Sequence, residues 1–124
     1  MALNDTRPIG IFDSGVGGLT VVRALIERLP FENLIYFGDT ARVPYGIKSV
    51  ATISAYTQQI TRFLLQKDVK LLIIACNTMA AVAADVVRAE TSLPVLDVIE
   101  AGALGAVAAT RNRNIGVIGT PTTI

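Results

Sequence analysis

The amino-acid sequence predicts an α/β fold of the doubly wound type, in which helices cover both faces of a parallel sheet. Short apolar runs alternate along the chain with longer stretches of helical periodicity, which is typical of successive β-α-β units. At 124 residues the chain is long enough for one ordinary domain but hardly for two. We therefore predict a single α/β domain over residues 1–124.

Five strands are predicted from short apolar runs that are rich in β-branched and aromatic residues. They occupy residues 8–12, 34–38, 70–75, 94–98 and 114–119. The third run is apolar throughout from Leu71, as expected of a central parallel strand that is buried on both faces.

Four helices are predicted between these strands. They occupy residues 18–29, a span that begins near Ser49, residues 78–90 and residues 101–110. Pro30 ends the first helix, and Ser49 is placed to cap the second. The stripes expected to face the core are Leu19, Val22, Leu25, Ile26 and Leu29 in the first helix, and Val50, Ile53, Ile60, Phe63 and Leu64 in the second.

Composition excludes several classes of function. With 11 basic and 10 acidic side chains and an apolar fraction of 52%, the chain resembles neither a disordered protein nor a nucleic-acid-binding one. No apolar run reaches the roughly 18 residues of a membrane span, and residues 1–8 lack the apolar core of a secretory signal. We therefore expect a cytoplasmic protein that binds a small molecule and contacts neither nucleic acid nor membrane.

The chain has one cysteine and no histidine, which limits its chemistry. A single thiol forms neither an intrachain disulfide nor a thiolate metal site, so we expect no metal. Without histidine, proton transfer near neutral pH falls to a perturbed Cys, Asp, Glu or Lys side chain.

Unusual residues follow the first predicted strand. In parallel sheets ligands bind beyond the carboxyl ends of the strands. The segment 13–18, Asp-Ser-Gly-Val-Gly-Gly, places a glycine-rich turn before a helix, where free amides bind a carboxylate or phosphate. The alternative is a tight turn in which Asp13 or Ser14 caps the helix.

The segments after the second and third strands are equally unusual. Residues 38–46 form a loop with a charged pair, a proline and Tyr45, which is either functional or a surface turn packed on the core. Cys76 stands where a buried strand gives way to a helix N-terminus, a position that favours the thiolate. Free cysteines are also common as inert core residues, and Asn77 and Thr78 could simply cap the helix.

If the three segments converge, the pocket offers a carboxylate, several neutral hydrogen-bonding groups and one thiol, which suits an amino acid. Removing the weakly acidic α-proton requires a positioned base and donors that stabilise the developing enolate-like charge. Inversion also requires a second acid on the opposite face, and the chain has no second cysteine to supply it.

At these residues the sequence resembles the glutamate racemases, bacterial enzymes that make D-glutamate for peptidoglycan without pyridoxal phosphate. The matching segments are residues 11–19, 36–46, 75–78 and 116–120. All four occur in order, and the resemblance covers the whole chain. It implies glutamate as substrate and a cofactor-independent mechanism that uses two cysteines.

The resemblance also implies residue roles. Cys76 would be one of the two catalytic cysteines, and Asp13 would assist or orient proton transfer. The implied substrate-binding residues are Asp13, Ser14, Pro44, Tyr45, Gly46, Asn77 and Thr78. Thr120 and Thr123 match positions near the ligand.

The family is about twice as long as this chain, with two similar α/β domains that face each other across the active site. Residues 1–112 resemble the first, flavodoxin-like domain, in incomplete form, and residues 113–124 resemble the first strand of the second. The other catalytic cysteine lies in a Cys-Thr-His segment that this sequence lacks. We therefore expect a truncated racemase that is inactive alone.

Two alternatives remain open at this stage. An unfinished domain leaves apolar surface, so the chain could be a non-catalytic binding module or a self-associating homodimer, with the fifth strand free to pair. The glycine-rich turn by itself would also suit a phosphate- or nucleotide-binding protein of flavodoxin-like fold.

Overall fold

A computed structural model describes residues 4–124 and contains one parallel sheet of four strands in the order β2-β1-β3-β4. The strands are β1 (Ile9–Asp13), β2 (Leu34–Gly38), β3 (Leu71–Ile74) and β4 (Val95–Asp97). Asp13 pairs with Gly38, and Ile74 pairs with Asp97, so all four strands end at the same edge. This edge is where the sequence predicts the site.

Four α-helices follow the strands, as the periodicity predicts. They are α1 (Leu19–Arg28), α2 (Val50–Leu65), α3 (Asn77–Glu90) and α4 (Val98–Ala109), and a short 3-10 helix covers Thr40–Arg42. Among the residues that the structure describes, no helix is long and apolar enough to cross a membrane. Ser49 caps α2 as predicted, because its side chain accepts a hydrogen bond from the amide of Thr52.

The sheet buries a separate apolar cluster on each face, which confirms the doubly wound architecture. On one face Ile9, Ile11 and Ile73 pack against Val22 and Leu25 of α1. The other face carries the larger cluster, which joins the sheet to α2 and α3. Its strand residues are Phe12, Leu72 and Ile74, and its helix residues include Ile53, Ile60, Leu64, Met79 and Val87.

The predicted stripe of α1 is only partly correct. Val22 and Leu25 pack on the sheet, but Leu19, Ile26 and Leu29 are 48%, 55% and 44% exposed. The reason is that the sheet covers only a narrow strip of α1. Hydrophobic periodicity identifies the apolar side of a helix but does not tell how wide its contact is.

The predicted stripe of α2 is closer to the structure. Ile53, Ile60 and Leu64 are fully buried, whereas Val50 in the first turn is exposed. Phe63 is also exposed in part, and its ring packs against the ring of Phe37 at 5.5 Å between centroids.

The predicted fifth strand at residues 114–119 is wrong. Within the described part of the chain this segment forms no strand, and it adds to neither edge of the sheet. Val117 and Ile118 are 73% and 99% exposed. An apolar, β-branched run has the propensity for a strand, but a strand also requires a backbone partner, and none of the described residues supplies one here.

The boundary of α4 also differs from the prediction, because this helix begins at Val98 rather than at residue 101. Asp97 at the end of β4 caps it by accepting a hydrogen bond from the amide of Glu100 at 2.9 Å. None of the residues of α4 is buried, although the helix is strongly apolar.

Candidate active site

Asp13 is the last residue of β1, and its carboxylate lies buried in the glycine-rich turn. One oxygen accepts a hydrogen bond from the amide of Ser14 at 2.8 Å, and the other accepts one from the amide of Gly18 at 2.7 Å. The side chain of Asp13 therefore occupies amides that an open anion site would need. These two amides are therefore not free to bind an anion, and the anion-binding turn and its phosphate-binding alternative stay predictions.

Gly18 makes this arrangement possible because it has no side chain. A Cβ atom on Gly18 would lie 2.8 Å from the Cβ atom of Asp13 and 3.0 Å from that of Ala75. Gly18 is the N-cap residue of α1 and has no side chain with which to cap the helix, but its own amide donates to the Asp13 carboxylate.

Cys76 follows β3 and is itself the N-cap residue of α3. Its Sγ atom accepts a hydrogen bond from the amide of Met79 at 3.4 Å, and its thiol donates one to Ser14 Oγ at 3.3 Å. The capping role that the sequence suggests for Asn77 and Thr78 therefore belongs to Cys76. The contact with Ser14 shows that the first and third segments converge.

The second loop packs against α2, where Arg42 donates to Gln59 at 2.8 Å and the ring of Tyr45 lies against that of Tyr56. The Val43–Pro44 peptide bond is cis. Tyr45 is buried and donates a hydrogen bond from its hydroxyl to the buried carboxylate of Asp39. Arg42 donates to the same carboxylate at 2.7 Å. The pKa of Tyr45 is raised, first by burial and then by its bond to Asp39.

A turn at the end of the chain connects the second and third segments. Thr123 Oγ1 lies 3.4 Å from Thr78 Oγ1 and 3.0 Å from Thr120 Oγ1. The hydroxyl of Thr122 donates to the carbonyl oxygen of Gly46 at 3.2 Å. The threonines that the resemblance places near the ligand thus lie at the same edge of the sheet as Cys76.

A cleft of about 1050 Å³ opens at this edge. Asp13, Cys76, Asn77 and Thr78 line it, together with α4 and the segment 115–120. Ser14, Pro44, Tyr45 and Gly46 lie outside its lining, although Ser14 accepts a hydrogen bond from Cys76, which lines it. Among residues 4–124, no group of three or more His, Cys, Asp or Glu side chains could hold a metal ion.

Tyr36 is the residue at this edge to which the sequence assigned no role. Its hydroxyl donates to the carbonyl oxygen of Gly15 at 2.9 Å and lies 3.5 Å from Asp13 Oδ2. Burial and the neighbouring Asp13 carboxylate raise the pKa of Tyr36 to about 12. The sequence does carry a signal for this contact, which is the spacing of Tyr36 and Gly38. Residues two apart on a strand face the same side, so the ring of Tyr36 lies beside a position that has no side chain.

Comparison with known proteins identifies the family. A model of the Asp/Glu/hydantoin racemase family matches residues 9–123. The chain belongs to this family. A glutamate racemase of Syntrophus aciditrophicus is 72% identical over 120 residues, which is 97% of this chain and 44% of that protein. A glutamate racemase of Neisseria meningitidis is 66% identical over 119 residues, 95% of this chain and 44% of that protein.

Solved structures of the family have the same fold. Glutamate racemase from Aquifex pyrophilus superposes with a TM-score of 0.91 at 50% identity, over 94% of this chain and 46% of that one. Glutamate racemase from Francisella tularensis, in complex with D-glutamate, gives 0.87 at 52% identity, over 96% of this chain and 44% of that one. The chain therefore spans less than half the length of its relatives and corresponds to their N-terminal half.

Proposed function

We propose that this chain forms one half of a glutamate racemase, which interconverts L- and D-glutamate without a cofactor. Membership of the racemase family supports the reaction class. The observation that carries the proposal is the Cys76 thiol, which lines the cleft and lies 3.3 Å from Ser14 Oγ. Such an enzyme would work in the cytoplasm and supply D-glutamate for peptidoglycan.

Cys76 acts as the acid/base group in this proposal. As a thiolate it removes the α-proton of glutamate, so that an S–H bond forms while the C–H bond breaks. The electron pair delocalises into the adjacent carboxylate, where hydrogen-bond donors stabilise the enolate-like charge. The N-terminus of α3 favours negative charge at the sulfur, and the Met79 amide already donates to it.

The neighbouring residues bind and orient the substrate. The buried carboxylate of Asp13 attracts the substrate ammonium and assists proton transfer at Cys76, while Ser14, Asn77 and Thr78 offer hydrogen bonds to the carboxylates. Pro44 shapes the loop that presents Tyr45 and Gly46. Because the hydroxyl of Tyr45 is engaged by Asp39, this loop would contribute chiefly through its main chain.

Racemisation requires a second acid on the opposite face of the α-carbon, and the 124-residue sequence has one cysteine and no histidine. We therefore propose that this polypeptide alone binds glutamate but does not racemise it. The remaining part of a glutamate racemase would complete the site.

Complementation tests this proposal. The chain is incubated with L-glutamate, with and without a polypeptide carrying the remainder of the Syntrophus aciditrophicus enzyme, and optical rotation is followed. We expect no turnover from the chain alone, and turnover in the mixture that is lost with Cys76→Ser. Turnover by the chain alone that disappears in Cys76→Ser would refute the half-site model. A complemented activity that survives Cys76→Ser would refute the role of Cys76.

A second candidate is a non-catalytic module that associates with another copy of itself. The observation in its favour is α4, an apolar helix with no buried residue, beside the exposed Val117 and Ile118. Sedimentation equilibrium separates the two candidates, because a homodimer buries this surface. A monomer at high concentration would contradict self-association.

A further inference from the structure

We infer that Tyr36 is a positioning residue, whose hydroxyl holds the turn at Ser14 and Gly15 and the carboxylate of Asp13 in the geometry that Cys76 requires. This inference rests on the proposed function, because it concerns the same proton-transfer group. Tyr36 does not itself line the cleft and makes no hydrogen bond to the thiol, so it would act through Asp13, which lines the cleft, and through Ser14.

The register of the sheet brings Tyr36 to this position. Tyr36 pairs with Ile11, and two residues later Gly38 pairs with Asp13. Residues two apart on a strand point to the same face, so the ring of Tyr36 extends over Gly38 toward the end of β1. A Cβ atom on Gly38 would lie 2.3 Å from the carbonyl oxygen of Gly15 and 3.2 Å from the hydroxyl of Tyr36. Only glycine leaves room for this contact.

The hydroxyl connects to the thiol in two short steps. It donates to the carbonyl of Gly15 at 2.9 Å, and the preceding residue, Ser14, accepts a hydrogen bond from Cys76 at 3.3 Å. It also lies 3.5 Å from Asp13 Oδ2, the oxygen that holds the amide of Gly18. Loss of the Tyr36 hydroxyl would therefore loosen Ser14, which accepts the hydrogen bond from the thiol. It would also remove a dipole that faces the Asp13 carboxylate.

The charged groups around the thiol determine how a substitution at Tyr36 changes the pH dependence of Cys76 alkylation. The titratable groups that face Cys76 are Asp13 on β1, Tyr36 on β2 and Tyr45 on the second loop. Asp39 and Arg42 lie behind Tyr45, whose hydroxyl donates to the Asp39 carboxylate. With a pKa of about 12, Tyr36 keeps its proton over the range in which a thiolate forms. It is thus a neutral donor beside the carboxylate of Asp13.

The pH profile of Cys76 alkylation is the readout, because the chain has a single cysteine. The rate of reaction with iodoacetamide is measured against pH for the wild type, Tyr36→Phe and Asp13→Asn. The matched control is Tyr56→Phe, at a tyrosine of α2 whose ring lies 5.8 Å from that of Tyr45 between centroids. Tyr36→Phe should move the midpoint to higher pH by roughly half a unit, which is at the lower end of what one neutral hydrogen bond contributes. Asp13→Asn should move it to lower pH, and Tyr56→Phe should leave it in place.

A merely structural tyrosine would change the melting temperature without moving the midpoint, so an unmoved midpoint in Tyr36→Phe overturns the inference. An equal shift in Tyr56→Phe overturns it as well. Gly38→Ala provides a second route, since its Cβ atom displaces the same carbonyl, and it should shift the midpoint in the same direction as Tyr36→Phe. Failure of the proposed function is distinguishable, because glutamate would then fail to slow the alkylation of Cys76 whether or not Tyr36→Phe moves the midpoint.

Discussion

Replacing Gly18 with alanine should disturb the buried carboxylate of Asp13 more than any other single methyl group added to this turn. The new Cβ atom would lie 2.8 Å from Asp13 Cβ and 3.0 Å from Ala75 Cβ. Carbon atoms prefer separations of about 3.5–4.0 Å, and both neighbours are fixed close to the backbone of adjacent strands. Relief therefore requires movement of the turn itself.

The expected cost is about 1–3 kcal/mol, the usual range for an added methyl group in a packed site. For a chain of this length it corresponds to a fall in Tm of roughly 4 °C per kcal/mol. Gly17→Ala is the matched control, because its Cβ atom would meet only Asp13 Oδ2, at an ordinary contact distance of 3.8 Å. Neither glycine has a positive φ, so backbone strain does not enter the comparison.

Urea unfolding followed by circular dichroism measures both variants. Gly18→Ala should be destabilised and Gly17→Ala should lie within about 0.5 kcal/mol of the wild type. Equal stability of the two variants would refute the reasoning, because it would show that Asp13 and Ala75 do not confine this position.

Two further predictions concern pH and the core. The pKa of Tyr36 is raised to about 12, first by burial and then by Asp13, so the stability linked to its proton is present below about pH 10 and is lost as the pH rises toward about 12. Unfolding measured across this range should show a smaller loss in Tyr36→Phe than in the wild type, and an equal loss would contradict this linkage. Phe12 is fully buried whereas Phe31 is 98% exposed, so Phe12→Ala should cost about 3–5 kcal/mol and Phe31→Ala less than about 0.5 kcal/mol in urea unfolding. Similar costs for the two variants would contradict the assignment of the core.

The sequence predicts the sheet well because runs such as Leu71–Ile74 are short and apolar throughout, as expected of a central parallel strand that is buried on both faces. It does not predict that residues 114–119 remain unpaired, because pairing depends on a neighbouring backbone and not on the apolar run itself. The exposure of Leu19 and Ile26 escapes prediction for a similar reason. Periodicity shows which side of a helix is apolar but not how much of it a neighbour covers.

In the site, position along the chain is enough to predict that the first and third segments meet, because parallel strands end at one edge. The partners within the site depend on side-chain geometry. The carboxylate of Asp13 folds back onto the amide of Gly18, and the thiol of Cys76 rather than Asn77 or Thr78 caps α3. Tyr36 reaches Gly15 only because Gly38 has no side chain. The sequence contains this glycine, but nothing in the sequence alone marks it as more important than the other glycines.

The central claim is that Cys76 lies in a glutamate-binding half-site, and the most direct test is protection of this thiol by glutamate. The rate of iodoacetamide alkylation of Cys76 is measured by mass spectrometry at increasing concentrations of glutamate, with lysine at the same concentrations as the control. Glutamate should slow the alkylation with saturation, and lysine should not. Equal rates with and without glutamate, or equal protection by lysine, would contradict the claim.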